Sequence, residues 1–258
     1  MGVAEIEAGL ELPAWPCKVT ADLQRGYHEP AQVPEGLFGD LVDVSVLANQ
    51  CLMATRPLRD GRPAGLHMGH RMIQTEPVRL GEALMIHAAV GEVAAMATGT
   101  RIRIDLEFRR RDGSVPVRAE TTNLRVDREA MRKRGPAKPK SFESAGYRIV
   151  THKQLTAERV MAYSREFPGD KVHFEPAVAQ SIGLRAPVAQ GLMSLTWMAA
   201  ALAANGVPAE LDLAARFRRP IFWDDAVEVA ALGEEAFLIR NAEGQVCSLG
   251  RVARLVRR

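Results

Sequence analysis

Between Tyr163 and Pro176 the chain reads Tyr-Ser-Arg-Glu-Phe-Pro-Gly-Asp-Lys-Val-His-Phe-Glu-Pro, which sets a carboxylate, Asp170, three residues before an imidazole, His173. A histidine beside a carboxylate can hold a water, take a proton from it and return one, and such a positioned group contributes roughly 10²–10⁴ in rate. Eighteen residues after His173, Gly191 opens an apolar stretch with a helical pattern. The start of a helix has free backbone N–H groups and the positive end of the helix dipole, so the Gly191 N–H is suited to face an oxyanion. Losing one such donor typically costs on the order of 10²–10³ in rate. Plainer roles stand beside these. A single histidine between strand and helix is more often structural than chemical. Gly191 also suits close packing, Gln190 a buried hydrogen bond, and Ser194 a cap on free N–H groups or a ligand contact.

Other candidates are weaker. His67 and His70 lie three apart with His87 beyond, but a Gly-containing loop and no nearby cysteine argue against zinc, and no metal is expected. Arg109-Arg110-Arg111 and Arg132-Lys133-Arg134 read as solvated charge, and His28-Glu29-Pro30 as structural. The chain has no GxSxG, no phosphate-binding glycine loop and no dinucleotide fingerprint. Cys17, Cys51 and Cys247 are odd in number and form no CxxC, which disfavours a disulfide framework and a cysteine zinc site and suits a reducing cytoplasm. The acidic start, Met1-Gly2-Val3-Ala4-Glu5-Ile6-Glu7, shows no export signal. The charge balance, 34 − 31 = +3, lacks the clustered excess of a nucleic-acid binder.

The elements that position these residues come from a repeat. A length of 258 residues allows one large domain or two small ones. Val33–Phe38 with an apolar pattern to Asn49 resembles Val188–Met193 with one to Asn205, at an offset of 155. Glu76–Leu84 resembles Arg219–Val227 at 143, and Asp112–Val115 resembles Glu243–Val246 at 131, so the order is kept and the second copy has shorter connections. Each half then reads as one helix followed by strands. The first-half strands fall near His70–Gln74, Ala83–Val93, Arg101–Arg111 and Val115–Val126. Those of the second half fall near Ala214–Phe217, Ala226–Leu232, Ala236–Arg240 and Gln245–Leu255. Residues Ala186 to Ala209 carry no charged side chain, but Pro187, Gly191, Gly206 and Pro208 interrupt them, so they read as a buried soluble helix over Gly191–Ala204 and not a membrane span. A helix apolar on all sides needs a sheet curled around it, which is the hotdog arrangement. The expected class is α+β, a double hotdog whose two sheets pair edge to edge. The expected division is 1–127, a basic Pro-containing linker at 128–147, and 148–258.

The segment Gly169-Asp170-Lys171-Val172-His173-Phe174-Glu175-Pro176, followed by Pro187-Val188-Ala189-Gln190-Gly191, resembles the MaoC-like, or hydratase 2, family of hotdog enzymes. There a Gly-Asp-x-Asn-Pro-x-His-x-Asp-Pro segment precedes a Pro-Ile-Ala-His-Gly at the start of the central helix. The resemblance covers about residues 148–258 and implies that His173 is the catalytic histidine and Gly191 the oxyanion donor. The family aspartate lies five residues before the histidine, where this chain has Pro168. Either a two-residue deletion keeps Asp170 as the acid–base partner or the site has lost it. Gln190 stands in place of the usual histidine, and Gln190, Ser194 and Val188 are the expected substrate contacts.

The resemblance implies a lyase that interconverts a 2-enoyl thioester and its 3-hydroxyacyl form, of R configuration. The thioester is that of coenzyme A or a carrier protein, with no cofactor beyond the coenzyme A of the substrate. Basic surface charge would suit the phosphates of coenzyme A. The alternatives are a hotdog thioesterase and a non-catalytic acyl-thioester-binding protein. Carried upstream, the offset of 155 sets Trp15 opposite Asp170 and Lys18 opposite His173, which makes the first half catalytically silent and leaves it to widen the pocket for a bulky or branched acyl group. The partner is the thioester, with no nucleic acid and no membrane, and the assembly allows a homodimer.

Overall fold

A computed structural model describes residues 6–58, 65–127, 129–130 and 145–257. The first half contains β1 (Trp15–Lys18), α1 (Ala21–His28), α2 (Val44–Ala54), β2 (Leu66–Gln74), β3 (Ala83–Met96), β4 (Gly99–Arg109) and β5 (Val117–Val126). The second contains β6 (Arg148–Gln154), α3 (Ala157–Tyr163), a 3₁₀ turn (Lys171–His173), α4 (Pro176–Ser181), α5 (Gly191–Ala203), β7 (Pro208–Phe217), β8 (Ala226–Leu232), β9 (Ala236–Asn241) and β10 (Val246–Arg257). Arg132-Lys133-Arg134 and most of the proposed linker lie outside the described residues.

Among the described residues the ten strands form one antiparallel sheet in the order β1-β3-β4-β5-β2-β7-β10-β9-β8-β6. From the junction outward, β2, β5, β4, β3 and β1 of one half correspond in turn to β7, β10, β9, β8 and β6 of the other. The duplication is therefore written into the topology. The halves join where β2 pairs with β7, Gly69 opposite Arg216 through Gln74 opposite Leu211, which removes two open edges. In each half the concave face takes the apolar side chains, alternating along a strand as in β4, where Ile102, Ile104, Leu106 and Phe108 are buried. The two central helices are buried nearly all round, Val44–Cys51 in α2 and Leu192–Ala199 in α5, because a sheet covers one side and the other helix the opposite side. One core runs through both halves. In the first half α2 fills the concave face of the sheet. A cavity of about 10 Å³, room for about one water, lies among Val42, Val44, Ala199 and Leu211.

The repeat is real, but its register at the helices differs from the expected one. Val33–Phe38 form turns and not a helix start. Gly36 and Gly39 have φ of +73° and +57°, a left-handed backbone that a helix cannot continue. The helix begins only at Val44, after Asp43, whose Oδ1 accepts from Ser45 N at 2.8 Å. Val42 N donates to Val78 O and Ala189 N to Ile221 O, so Val42 matches Ala189 and the helix offset is 147, not 155. Upstream it is 136. Val19-Thr20-Ala21-Asp22 with Tyr27 matches Leu155-Thr156-Ala157-Glu158 with Tyr163, and Thr20 and Thr156 cap α1 and α3 in the same way. The connection from this helix to the central one is thus 147 − 136 = 11 residues longer in the second half, contrary to uniformly shorter connections there. Trp15 and Lys18 lie on β1, the counterpart of β6, and are not opposite Asp170 and His173.

Candidate active site

The added residues are the ones that carry Asp170 and His173. After α3 the chain advances by successive turns, with Phe167 N to Ser164 O at 2.8 Å, Asp170 N to Phe167 O at 2.9 Å and His173 N to Asp170 O at 3.1 Å. Pro176 then starts α4, where its missing N–H removes no helical bond. Gly183, at φ +85°, turns the chain back. The returning strand lies against the 3₁₀ turn, Val188 N donating to Val172 O at 3.3 Å, and Val188 is bridged to Phe222 on the other side.

This return fixes the imidazole. Val188 O can only accept, so His173 Nδ1 carries the proton and donates to it at 2.7 Å. Nε2 is left as the lone-pair nitrogen, 3.8 Å from Asp170 Oδ2. Burial, with only 9% of His173 exposed, holds its pKa below the usual value, against the opposing effects of the Asp170 charge and the Val188 carbonyl. A neutral imidazole 3.8 Å from a carboxylate, a separation that one water can bridge, is equipped to act as a general base.

Val188, Gln190 and Gly191 follow one another into α5. Val188 meets the site through its carbonyl, as the partner of His173. Gln190 precedes the helix without capping it, so the first-turn N–H groups have no side-chain acceptor. Its own Oε1 is buried without a partner. Gly191 also has the plainer role, since a Cβ there would come 2.8 Å from the ring of Phe217. Ser194 neither caps nor lies on an open surface. It is 1% exposed and receives a bond from Ser248 on β10 at 3.0 Å, which ties α5 to the sheet instead.

The same place in the first half is built differently. Asp43 occupies the position of Gln190, and its carboxylate both caps α2 and meets His28 Nε2 at 2.8 Å. A capping carboxylate thus already occupies the helix start that in the second half is left without a side-chain cap. Sequence reading missed Asp43, although an aspartate one residue before a run of apolar residues is a helix-start signal.

The remaining candidates are dispersed. His67 and His70 face each other at 5.5 Å, brought to one face by a bulge between His67 and Gly69, while His87 lies on β3. Among the described residues no group of three His, Cys, Asp or Glu side chains is placed to hold a metal. Arg110 is not simply solvated, being paired with Glu76 and Glu82. All three cysteines are buried, and burial pushes the thiols of Cys17 and Cys247 up to about 12 and about 11, so neither is a ready nucleophile. Among the described residues no helix is long and apolar enough to cross a membrane.

No protein-family model matches the sequence. No curated protein matches it. Solved structures do. A MaoC-like dehydratase aligns over 98% of this chain and 98% of its own with a TM-score of 0.77 at 15% identity. The crystal structure of HtdX from Mycobacterium tuberculosis aligns over 93% and 98% with a TM-score of 0.75 at 16% identity. An acyl-ACP thioesterase from Bacteroides thetaiotaomicron aligns over 93% and 96%, with a TM-score of 0.58 at 8% identity. With its two central helices, its mirrored strand order and this likeness along nearly the whole chain, the protein has the double-hotdog fold of the MaoC-like dehydratases.

Proposed function

We propose that the protein is a hydratase or dehydratase that interconverts a 2-enoyl thioester and its 3-hydroxyacyl thioester. The observation that carries this reading is the Asp170–His173 pair held by Val188 O beside the side-chain-free N-terminus of α5. Water held between Asp170 and His173 adds to the β-carbon as His173 Nε2 takes its proton. His173 then returns that proton to the α-carbon on the same face, and the enolate oxygen between the two events is stabilised by the Gly191 N–H. Asp170 fills the aspartate's role after a two-residue deletion, and the second half holds the one active site. The acyl carrier is coenzyme A or a carrier protein.

The test is direct. Purified protein given crotonyl-CoA and longer or branched enoyl-CoAs is expected to lower the absorbance of the conjugated thioester without releasing free thiol. The second reading, a thioesterase, has in its favour the fold shared with an acyl-ACP thioesterase, and it predicts thiol release. Silence across the whole panel would leave a non-catalytic acyl-thioester-binding protein.

A further inference from the structure

The two halves share a buried polar junction that the reaction above does not use. Tyr27 on α1 and Tyr163 on α3 occupy matching positions and meet edge to face, with ring centroids 5.1 Å apart. Their hydroxyls do different things. Tyr163 OH lies between Asn49 Nδ2, at 3.0 Å, and Thr196 Oγ1, at 2.8 Å, one from each central helix. Tyr27 OH instead donates to Glu166 Oε2, which also accepts from Gln50 Nε2 at 3.2 Å. The offset of 136 sets Glu166 opposite Pro30, which has no carboxylate, so the two-fold likeness breaks here.

We infer that Tyr27 and Gln50, both from the first half, are positioning residues for Asp170 and act by clamping Glu166; this rests on the reading of Asp170 and His173 as the reacting pair. Glu166 lies four residues before Asp170, and the intervening turns, Phe167 N to Ser164 O and Asp170 N to Phe167 O, transmit its position along a short path. Phe167 beside Glu166 is buried, while Pro168 and Gly169 are exposed and contribute little packing, so the segment is held at Glu166–Phe167 on one side and at His173–Val188 on the other. The exposed Arg165 side chain lies over the helix of Tyr27. Its guanidinium crosses α1 at Gly26, where any Cβ would collide with it. Burial and the Glu166 carboxylate hold the Tyr27 phenol well above its ordinary pKa, so it stays a donor. On this account the first half contributes no reacting group and yet sets the geometry of the second. Bonds of this kind, between neutral donors and a carboxylate, are among the stronger ones in proteins.

The test uses the full chain carrying Tyr27→Phe and Gln50→Leu. Amide hydrogen exchange over Phe167–Phe174 is expected to rise about tenfold, with α5 unchanged. Hydration kcat is expected to fall about tenfold or more, with KM within about twofold, since small misplacements of a reacting group are costly. Glu166→Ala should reproduce the loss, and Glu166→Gln should rescue most of it, because an amide oxygen still accepts both donors. Tyr27→Phe alone, which keeps the ring, is the variant to read if the pair fails to fold. Unchanged exchange overturns the clamp whatever the activity, and faster exchange with unchanged kcat overturns the positioning role. Wild-type protein inactive on every thioester counts against the proposed reaction, and the exchange result still decides the clamp.

Discussion

His173 Nε2 stands 3.8 Å from Asp170 Oδ2 while its Nδ1–H is bound to Val188 O at 2.7 Å. The ring cannot flip without losing that bond, so one nitrogen is committed to the backbone and the other to the carboxylate. A water at ordinary hydrogen-bond distance from both atoms bridges a gap of this size. His173→Ala and Asp170→Asn are each expected to lower kcat/KM for enoyl-thioester hydration by roughly 10²–10⁴, with Tm little changed. Full activity in His173→Ala would remove the site.

The pH dependence follows from burial of the imidazole. As a base His173 must be neutral, so kcat/KM should fall as pH drops through its pKa, which lies below the usual 6.5. The Asp170 charge opposes the shift, so Asp170→Asn should move the acid limb of whatever activity remains to still lower pH. A limb that moves upward would contradict the arrangement.

Gly191 is held to its type by Phe217. Gly191→Ala places a methyl 2.8 Å from the ring and is expected to destabilise the fold by about 1–3 kcal/mol, as overpacked cores do. Adding Phe217→Leu should return most of the stability in denaturant melts. If Gly191→Ala melts like wild type, the close packing at this helix start is not a constraint.

Asp43 is expected to matter for stability and not for turnover. Asp43→Ala removes the cap of α2 and the partner of His28, at a cost of about 1–2 kcal/mol, with kcat within about twofold. A large loss of kcat at unchanged Tm would mean that the first half has its own chemistry.

His70 is fully buried, its Nδ1 lacks a partner, and burial with His67 nearby holds its pKa well below 6.5. Its folded pKa is depressed, so the unfolded chain binds the proton more readily, and stability should be lost as pH falls below about 6.5. His70→Leu should flatten the fall in Tm between about pH 7 and pH 5. An unchanged slope would assign the acid sensitivity to other groups.

Local pattern makes much of this protein legible. The strands β3, β4, β8 and β9 and the helix α5 are readable within a few residues because alternation and helical periodicity report which face is buried, and the duplication shows in turns such as Asp112-Gly113 and Glu243-Gly244. The first central helix was not legible in the same way. Gly36 resembles Gly191 by type, and only backbone conformation separates a left-handed turn glycine from one at a helix start. The matching threonines and tyrosines of α1 and α3 would have corrected the offset.

The chain alone dictates the residue types at the site and the alternations that curl two sheets around two helices, since these depend on neighbours a few positions apart. Which atoms meet was left to tertiary structure: Val188 O on His173, Ser248 on Ser194, Ala31 O on Trp197 Nε1 and Glu166 on Tyr27. These partners are 15 to 166 residues apart, and chain reversal and sheet register bring them together, so no local period can name them. The orientation of the His173 ring, and with it the nitrogen left to act as base, is such a long-range decision.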